Sequence, residues 1–501
     1  MSKVINKKIG KATMWSSVTE LMAKLVTPIV NMVLARILLP EAFGVVATMT
    51  LIISFAEVFT DAGFQKYIIQ HEFKDEDELN KSTNVAFWTN LGVSFLACII
   101  IFIFRDQIAE LVGNPGLGIP ISVMSLLILI HAFSSIQIAR YKRDFDFKTL
   151  FFVRIGVVLT PLIVTIPIAF VLRDFWALVI GNFASQIFSA IILTFRAKWK
   201  IKFYYSFSFF KKMFSFTSWT LLESISIWLT TNIDIFIIST SLSLYYLGLY
   251  KTSISTVNAC IGLVSSAIMP VLFSALSRCQ NDDKQFKATY YTFQRLTSVL
   301  VLPMGIGIFL FSDFVTLILL GQNWIEASGL IGLWGLTSAF AILFSTFSSE
   351  VIRSKGKPMV SLIIQLIQIG VLAIVLHTLK NSGFETLYVA ASLLRIVLII
   401  TSLSTICFMF KFNIGKIILN VAPTFLSALV MGIVGCFLLQ VSHNMLLQVV
   451  WIIICIIVYF AVLIGCFPKI RREIFEIKFV KKIISKFKKK SKTSQEQENS
   501  L

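Results

Sequence analysis

The chain has little of what a soluble enzyme needs. Only 14% of its 501 residues are charged, and only four are histidine. His71, His131, His377 and His443 are isolated and show no metal-ligand spacing, so each reads as a solvated, capping or packing group. The seven cysteines are scattered without a Cys-x-x-Cys, and neither a disulfide framework nor a zinc site is indicated. Cys279 falls in a polar loop and the other six fall in apolar stretches. There is no Gly-x-Ser-x-Gly, no P-loop and no His-Glu-x-x-His. The nearest approach to a P-loop, Arg353-Ser354-Lys355-Gly356-Lys357, lacks a glycine-rich approach and has Pro358 where Ser or Thr should stand. The chain therefore reads as a non-enzyme without a cofactor, not driven by bound ATP. An ion gradient or the substrate's own gradient remains, with a proton or a sodium ion as the coupling ion. Long outer loops are missing too. The largest, 105–118 and 312–327, leave no room for an external domain.

What is present is apolar. Hydrophobic residues make up 56% of the chain and Phe alone contributes 46, whereas soluble domains average about 45–50% apolar. Fourteen stretches are long enough to cross a bilayer, which takes about 20 residues. They are 13–35, 44–66, 83–104, 119–140, 149–172, 175–196, 213–238, 247–273, 288–311, 328–350, 359–379, 386–409, 417–439 and 445–467. Pro40, Pro115, Pro358 and Pro468 mark ends, while Pro161, Pro167, Pro270 and Pro303 read as kinks within or near spans. The net charge of +19 could point to nucleic acid, but the Lys and Arg lie between the apolar runs and in the tail, which is the membrane pattern. With the N-terminus placed in the cytoplasm, 36 Lys and Arg fall on that side, 4 on the other (Arg36, Arg105, Arg173, Lys380) and 5 within spans. That asymmetry puts both termini in the cytoplasm. The first run holds Glu20 and Lys24, is too long for a signal peptide and lacks a cleavage site, so it reads as a retained helix. In the tail, Ile477, Val480, Ile484 and Phe487 make an apolar stripe among lysines that suits an interfacial helix on anionic lipid.

Ionisable residues inside spans cost roughly 2.5–3.5 kcal/mol each on insertion scales, so they face a cavity or a partner. Here they are spaced regularly. Ser17, Glu20, Lys24, Thr27 and Asn31 step by three and four, as do Thr50, Ser54, Glu57 and Asp61, so each set forms one polar stripe on a helix. Glu223, Ser226, Thr230 and Asp234 mark the seventh span, and Lys251, Ser255, Asn258, Gly262 and Ser265 the eighth. Close helix packing accounts for the Ser, Thr and Gly positions. The charges point further, to a hydrated cavity, although Glu20 and Lys24 at i,i+4 can also simply pair. Arg154, Arg295 and Asp61 lie near span ends and read as snorkelling; Lys24 and Arg395 are the deepest cations. The candidate cavity residues are Glu20, Lys24, Asn31, Glu57, Asp61, Glu223, Asp234, Lys251, Asn258 and Arg395. Lys24, Glu57, Asp61, Lys251 and Arg395 are expected to line one water-filled cavity between two lobes.

The seventh and eighth spans echo the first two. Trp15 and Trp219 are 204 residues apart, and so are Gly44 and Gly248. Six spans separate the copies, so both enter the membrane in the same sense, a parallel repeat. The fold expected is an all-α polytopic membrane protein of about 14 transmembrane helices: two pseudo-symmetric six-helix lobes, 1–205 and 206–412, an extra helix pair at 413–468, and a basic cytoplasmic tail at 469–501.

The run Ala35-Arg36-Ile37-Leu38-Leu39-Pro40-Glu41-Ala42-Phe43-Gly44, with Phe59-Thr60-Asp61-Ala62-Gly63-Phe64 and Ile68-Ile69-Gln70, resembles the start of bacterial polysaccharide flippases. These are the Wzx-like branch of the multidrug/oligosaccharidyl-lipid/polysaccharide exporter superfamily, and the nearest likeness is to the exporters of colanic and teichuronic acid precursors. The resemblance implies a flippase of the bacterial inner membrane. It would move undecaprenyl-pyrophosphate-linked oligosaccharide by alternating access for lipopolysaccharide, capsule or exopolysaccharide biosynthesis. It implies a cavity lined by spans one, two, seven and eight. The expected partners are a polyprenyl-linked glycan substrate, membrane lipid and a polysaccharide polymerase complex, with no nucleic acid. The family has no universal catalytic motif, so no site residue carries over. A multidrug or cation antiporter of the same superfamily is the alternative. A membrane glycan polymerase or ligase is the enzyme-class rival; such enzymes carry a large outer loop with Arg and His chemistry, which this chain lacks.

Overall fold

A computed structural model of the chain describes residues 2–60, 63–197, 199–442 and 444–476; the side chains of 2–13, Ser17, Leu21, 215–219, Leu222, Pro358 and 474–476 are also outside the description. Asp61, His443 and the tail stripe of Ile477, Val480, Ile484 and Phe487 lie outside the described residues. Among the described residues the ordered elements are all helical. They begin with α1 (Ser2–Ile37), α2 (Pro40–Thr60), α3 (Phe64–Gln70), α4 (Glu76–Ile103), α5 (Arg105–Leu111), α6 (Gly118–Arg143) and α7 (Phe147–Thr160). There follow α8 (Ile166–Leu172), α9 (Trp176–Phe195), α10 (Phe207–Ser241), α11 (Leu244–Arg278), α12 (Asp283–Leu310), α13 (Ser312–Leu319) and α14 (Ser328–Ala341). The chain continues through α15 (Phe347–Ser354), α16 (Pro358–Thr378), α17 (Gly383–Leu393), α18 (Arg395–Phe410), α19 (Ile414–Val441), α20 (Met445–Cys466) and α21 (Pro468–Glu476).

Thirteen described stretches are long and apolar enough to cross a membrane. The expected seventh span falls on α10, a further helix of 35 residues, which agrees with about fourteen spans. The local causes are in the sequence. Pro40 opens α2 at a position where a missing N–H costs nothing. Asp75 caps α4 by accepting from the Glu78 N–H at 2.7 Å, while the Glu78 carboxylate accepts from the Lys74 N–H at 2.8 Å. Asp282 caps α12 and Asn413 caps α19 in the same way. Pro161 opens a π-helical turn, Pro161–Thr165, between α7 and α8, so the expected kink is a local change of hydrogen-bond register.

The chain divides into two compact units. One comprises Met1–Leu263, Thr316–Ile331 and Leu362–Arg395; the other comprises Val264–Val315, Gly332–Ser361 and Ile396–Leu501. In the first unit, Val45, Met49 and Ile53 of α2 pack with Ile121, Met124 and Ile128 of α6 and Cys98 and Ile101 of α4. Large apolar side chains such as Phe102, Ile163, Val171 and Phe195 are exposed. On a water-soluble protein such surface would be a liability; in a bilayer it is the lipid-facing surface.

In the second unit, the expectation that Arg295 snorkels is corrected. Its side chain is buried, and its guanidinium grips the Glu473 carboxylate of α21 through Nε at 2.7 Å and through Nη2. Nη1 donates to Asn420 Oδ1 of α19 at 2.8 Å. The cause is α21, which brings a carboxylate to the guanidinium, so the planar fork is satisfied without reaching water. Ser298 and Thr424 share a hydrogen bond of 2.8 Å one turn along the same two helices.

Candidate functional site: a glycine crossing and fixed charges in the first unit

The turns that open α2 and α11 meet. A methyl group at Gly44 would stand 1.9 Å from the Leu244 carbonyl oxygen, and one at Gly248 would stand 1.9 Å from the Pro40 carbonyl oxygen. Residues 40 and 244 are 204 apart, as are 44 and 248, so the contact is reciprocal between the two copies of the repeat. Only glycine lets two backbones approach this closely. Neighbouring groups hold the same end. The Trp324 indole donates to the Ala35 carbonyl at 2.7 Å and packs edge-on against Phe43, with ring centroids 5.1 Å apart. Arg36 donates to the Ile318 carbonyl at 2.6 Å. The Glu326 carboxylate acts electrostatically on Tyr245 and Tyr246, and Tyr246 stacks on Phe384 at 5.0 Å.

The charges of the stripes are placed deeper along the helices. Asp234 of α10 accepts from the Tyr250 hydroxyl of α11 at 2.9 Å and from the Ile235 N–H at 2.8 Å. Lys251 acts electrostatically on the same carboxylate, and Arg395 acts on Tyr250. Three of the candidate residues, Asp234, Lys251 and Arg395, are thus gathered around Tyr250. Tyr250 was not singled out from sequence. It is fully buried, and a buried phenol needs a hydrogen-bond partner, which was the available signal.

Lys24 of α1 is half-buried and donates to the Gly262 carbonyl of α11 at 3.3 Å, rather than pairing with Glu20, which is exposed. Glu223 pairs with Lys66 of α3 at 2.7 Å, a partner the stripes did not suggest. Glu57 lies 3.6 Å from Nδ1 of His131 on α6. Asn31 is half-buried and Asn258 exposed. These contacts all lie within one compact unit, and those of Lys24, Glu57 and Glu223 join helices distant in sequence. Among the described residues no three His, Cys, Asp or Glu side chains assemble as a metal site.

Beside these groups, α2, α4, α5 and α10 border an apolar groove of about 680 Å³, walled by Phe55, Phe59, Leu96, Ile100, Trp228 and Phe236 among others. The Trp228 indole donates to Ser54 Oγ at 2.9 Å, and its ring lies 4.7 Å from that of Phe55. A polar stripe and an apolar wall thus share α2.

The model of a family described as "Polysaccharide biosynthesis protein" matches residues 33–329, more than half of the chain. The succinoglycan biosynthesis transport protein ExoT of Rhizobium meliloti (strain 1021) is 23% identical over 351 residues, covering 69% of this chain and 68% of that one. The lipopolysaccharide biosynthesis protein WzxC of Escherichia coli (strain K12) is 21% identical over 326 residues, covering 64% and 65%. Among solved structures, the lipid II flippase MurJ in an inward closed conformation superposes with a TM-score of 0.75 at 15% identity, covering 91% of this chain and 99% of that one. An inward-facing multidrug resistance MATE family transporter superposes with a TM-score of 0.57 at 13% identity, covering 78% and 98%. At these identities the likeness to solved structures is one of fold.

Proposed function

From the premise that this chain belongs to the polysaccharide biosynthesis protein family, we propose that it flips polyprenyl-pyrophosphate-linked oligosaccharide across the bacterial inner membrane. The transported units would serve surface polysaccharide biosynthesis, with a polysaccharide polymerase consuming them on the outer face. The names of the relatives, transport of succinoglycan and lipopolysaccharide biosynthesis, support the substrate class.

The observation that carries the reading is the set of fixed charges in one apolar unit: Lys24 at the α1–α11 contact, and Lys251, Asp234 and Arg395 around Tyr250. A saccharide pyrophosphate is a hydrophilic anion on an apolar chain. Its head needs polar partners, because each unsatisfied polar group in hydrocarbon costs several kcal/mol. The cations on α1, α11 and α18 supply charge to the pyrophosphate, and the Ser, Thr and Asn positions of the stripes supply hydrogen bonds to hydroxyls. The apolar chain stays in lipid. The 36-to-4 distribution of Lys and Arg supports cytoplasmic termini, which puts the Gly44–Gly248 crossing at the outer end. The reading needs no chemical step, and the chain acts as a transporter rather than an enzyme. The halves 1–205 and 206–412 are the bodies that exchange arrangements, and a proton or sodium ion supplies the drive.

The test is twofold. In a deletion strain, lipid-linked units accumulate on the cytoplasmic leaflet and surface polysaccharide falls, with recovery on complementation. In liposomes, the purified chain carries a fluorescent polyprenyl-pyrophosphate saccharide between leaflets. Normal export in the deletion strain with no second flippase present, together with no movement in liposomes, would overturn the reading.

A further inference from the structure

His131 was read from sequence as a solvated, capping or packing residue; its surroundings say otherwise. It lies in the middle of α6, and Glu57 lies toward the far end of α2. Their side chains are 27% and 29% exposed, and His131 Nδ1 stands 3.6 Å from Glu57 Oε1. Nδ1 is itself enclosed and makes no hydrogen bond. The flanking residues are apolar: Ile53 and Ala56 on α2, and Leu127, Ile128, Leu129 and Ile130 on α6 pack into one cluster. A carboxylate oxygen and a bare imidazole nitrogen are both acceptors. They face each other in an apolar setting only if a hydrogen lies between them.

We propose that Glu57 and His131 form a proton-binding site within the membrane, through which transport is coupled to a proton gradient. The inference rests on the flippase reading. With one hydrogen between Oε1 and Nδ1 the pair carries one negative charge. A second proton, taken from one aqueous side onto the other imidazole nitrogen, makes the pair neutral, and its release to the opposite side restores the charge. No bond other than N–H forms or breaks. Imidazole is the side chain whose ordinary charge change falls between about pH 5 and 8. The neutral pair tolerates its apolar surroundings, whereas the charged pair requires water or a cation to reach it. Proton occupancy and local structure are therefore linked, and a bound proton favours the arrangement that encloses the pair. Three residues before Glu57, Ser54 accepts from Trp228, so any shift of α2 at the pair is felt at its contact with α10.

The other ionisable groups on the helices packed against α2 and α6 are mostly engaged elsewhere. Arg140 of α6 pairs with Glu76 of α4, Lys81 with Asp77, Lys66 of α3 with Glu223 of α10, and Asp234 with Tyr250. The Cys98 thiol donates to the Ser125 carbonyl, and Arg143 donates to carbonyls at the end of α3. Arg105, Asp106 and Glu110 belong to α5, Lys148 and Arg154 to α7, and Lys211 and Lys212 to the first turns of α10. α9 carries no ionisable side chain. Asp61, four residues after Glu57 in the sequence, lies outside the described residues.

The experiment uses the full chain in liposomes with a fluorescent polyprenyl-pyrophosphate saccharide, with and without an imposed pH gradient. A one-unit gradient is expected to change the steady-state distribution of the wild type about tenfold. Glu57→Gln and His131→Gln should each lose the gradient dependence, and the double variant should match either single one. A second measurement needs neither transport nor a stable His131 variant. Histidine NMR of the wild-type chain in nanodiscs should show the His131 imidazole responding to pH, and Glu57→Gln should alter that response. Transport by the wild type that ignores the gradient would overturn the inference and leave the flippase reading standing. A His131 imidazole whose response to pH is the same in Glu57→Gln as in the wild type would overturn it too. If the wild type moves no lipid-linked saccharide, the flippase reading fails, and the NMR titration still decides the proton site.

Discussion

The Gly44–Gly248 crossing gives the sharpest test of the contact between α2 and α11. Gly44→Ala adds one methyl, and that carbon would stand 1.9 Å from the Leu244 carbonyl oxygen, where ordinary contact begins at 3.4 Å. The two helix starts must part by about 1.5 Å, because the obstructing atoms are backbone and cannot rotate away. Overpacking of this kind costs about 1–3 kcal/mol. Applied to one arrangement of a two-state cycle, it shifts the equilibrium about 5- to 150-fold toward the other arrangement. Gly248→Ala should do the same through the Pro40 carbonyl. The double variant should cost less than the sum, since parting the helices for one methyl makes room for the other. Spin labels at Leu39 and Ser243, both exposed, report the separation by pulsed electron paramagnetic resonance. The expected result is a longer distance distribution in either alanine variant, with the fold retained. Gly92→Ala serves as the control, because a methyl there meets nothing within 4 Å. A wild-type distance distribution in Gly44→Ala would refute the argument, and so would additive costs in the double variant.

Three further outcomes are expected. Tyr250→Phe removes the hydroxyl that serves Asp234, and the loss of a hydrogen bond to a charged group should lower stability by about 1.5–3 kcal/mol in thermal or denaturant unfolding; an unchanged transition would show that water or Lys251 already suffices. Glu473→Ala strips Arg295 of its carboxylate and should cost about 3–5 kcal/mol, whereas replacing both with apolar residues should cost far less; equal losses would contradict the buried pair. Membrane-impermeant thiol reagents applied to intact cells should label cysteines introduced within 105–118 or 312–327 and leave Cys279 untouched, and labelling of Cys279 would reverse the orientation.

The fold was legible because its signal is local. Twenty or so apolar residues must form a helix in lipid, so each span could be read without its neighbours. The stripes were legible for the same reason: steps of three and four put Glu20, Lys24 and Asn31 on one face whatever lies opposite. Partners were not legible, because they depend on which helices meet. Lys24 has Glu20 four residues away, yet its ammonium goes to the Gly262 carbonyl 238 residues on. Glu223 meets Lys66, and Arg295 meets Glu473 instead of water. His131 was passed over because a lone histidine in an apolar run has no periodic companion; its companion is on another helix.

The 204-residue offset has a stronger physical content than similarity between two stretches. Two unrelated helix starts that touch need only fit each other once. Here a carbonyl of the first copy occupies the space of a Cβ on the second, and the equivalent carbonyl of the second occupies the space of a Cβ on the first. Such a contact is self-complementary, in the way the interface of a two-fold dimer is. A change at one glycine therefore loads both sides, and relief at either position relieves the whole contact. That coupling ties the two glycines into a single contact, which the cost of the double variant reads out directly.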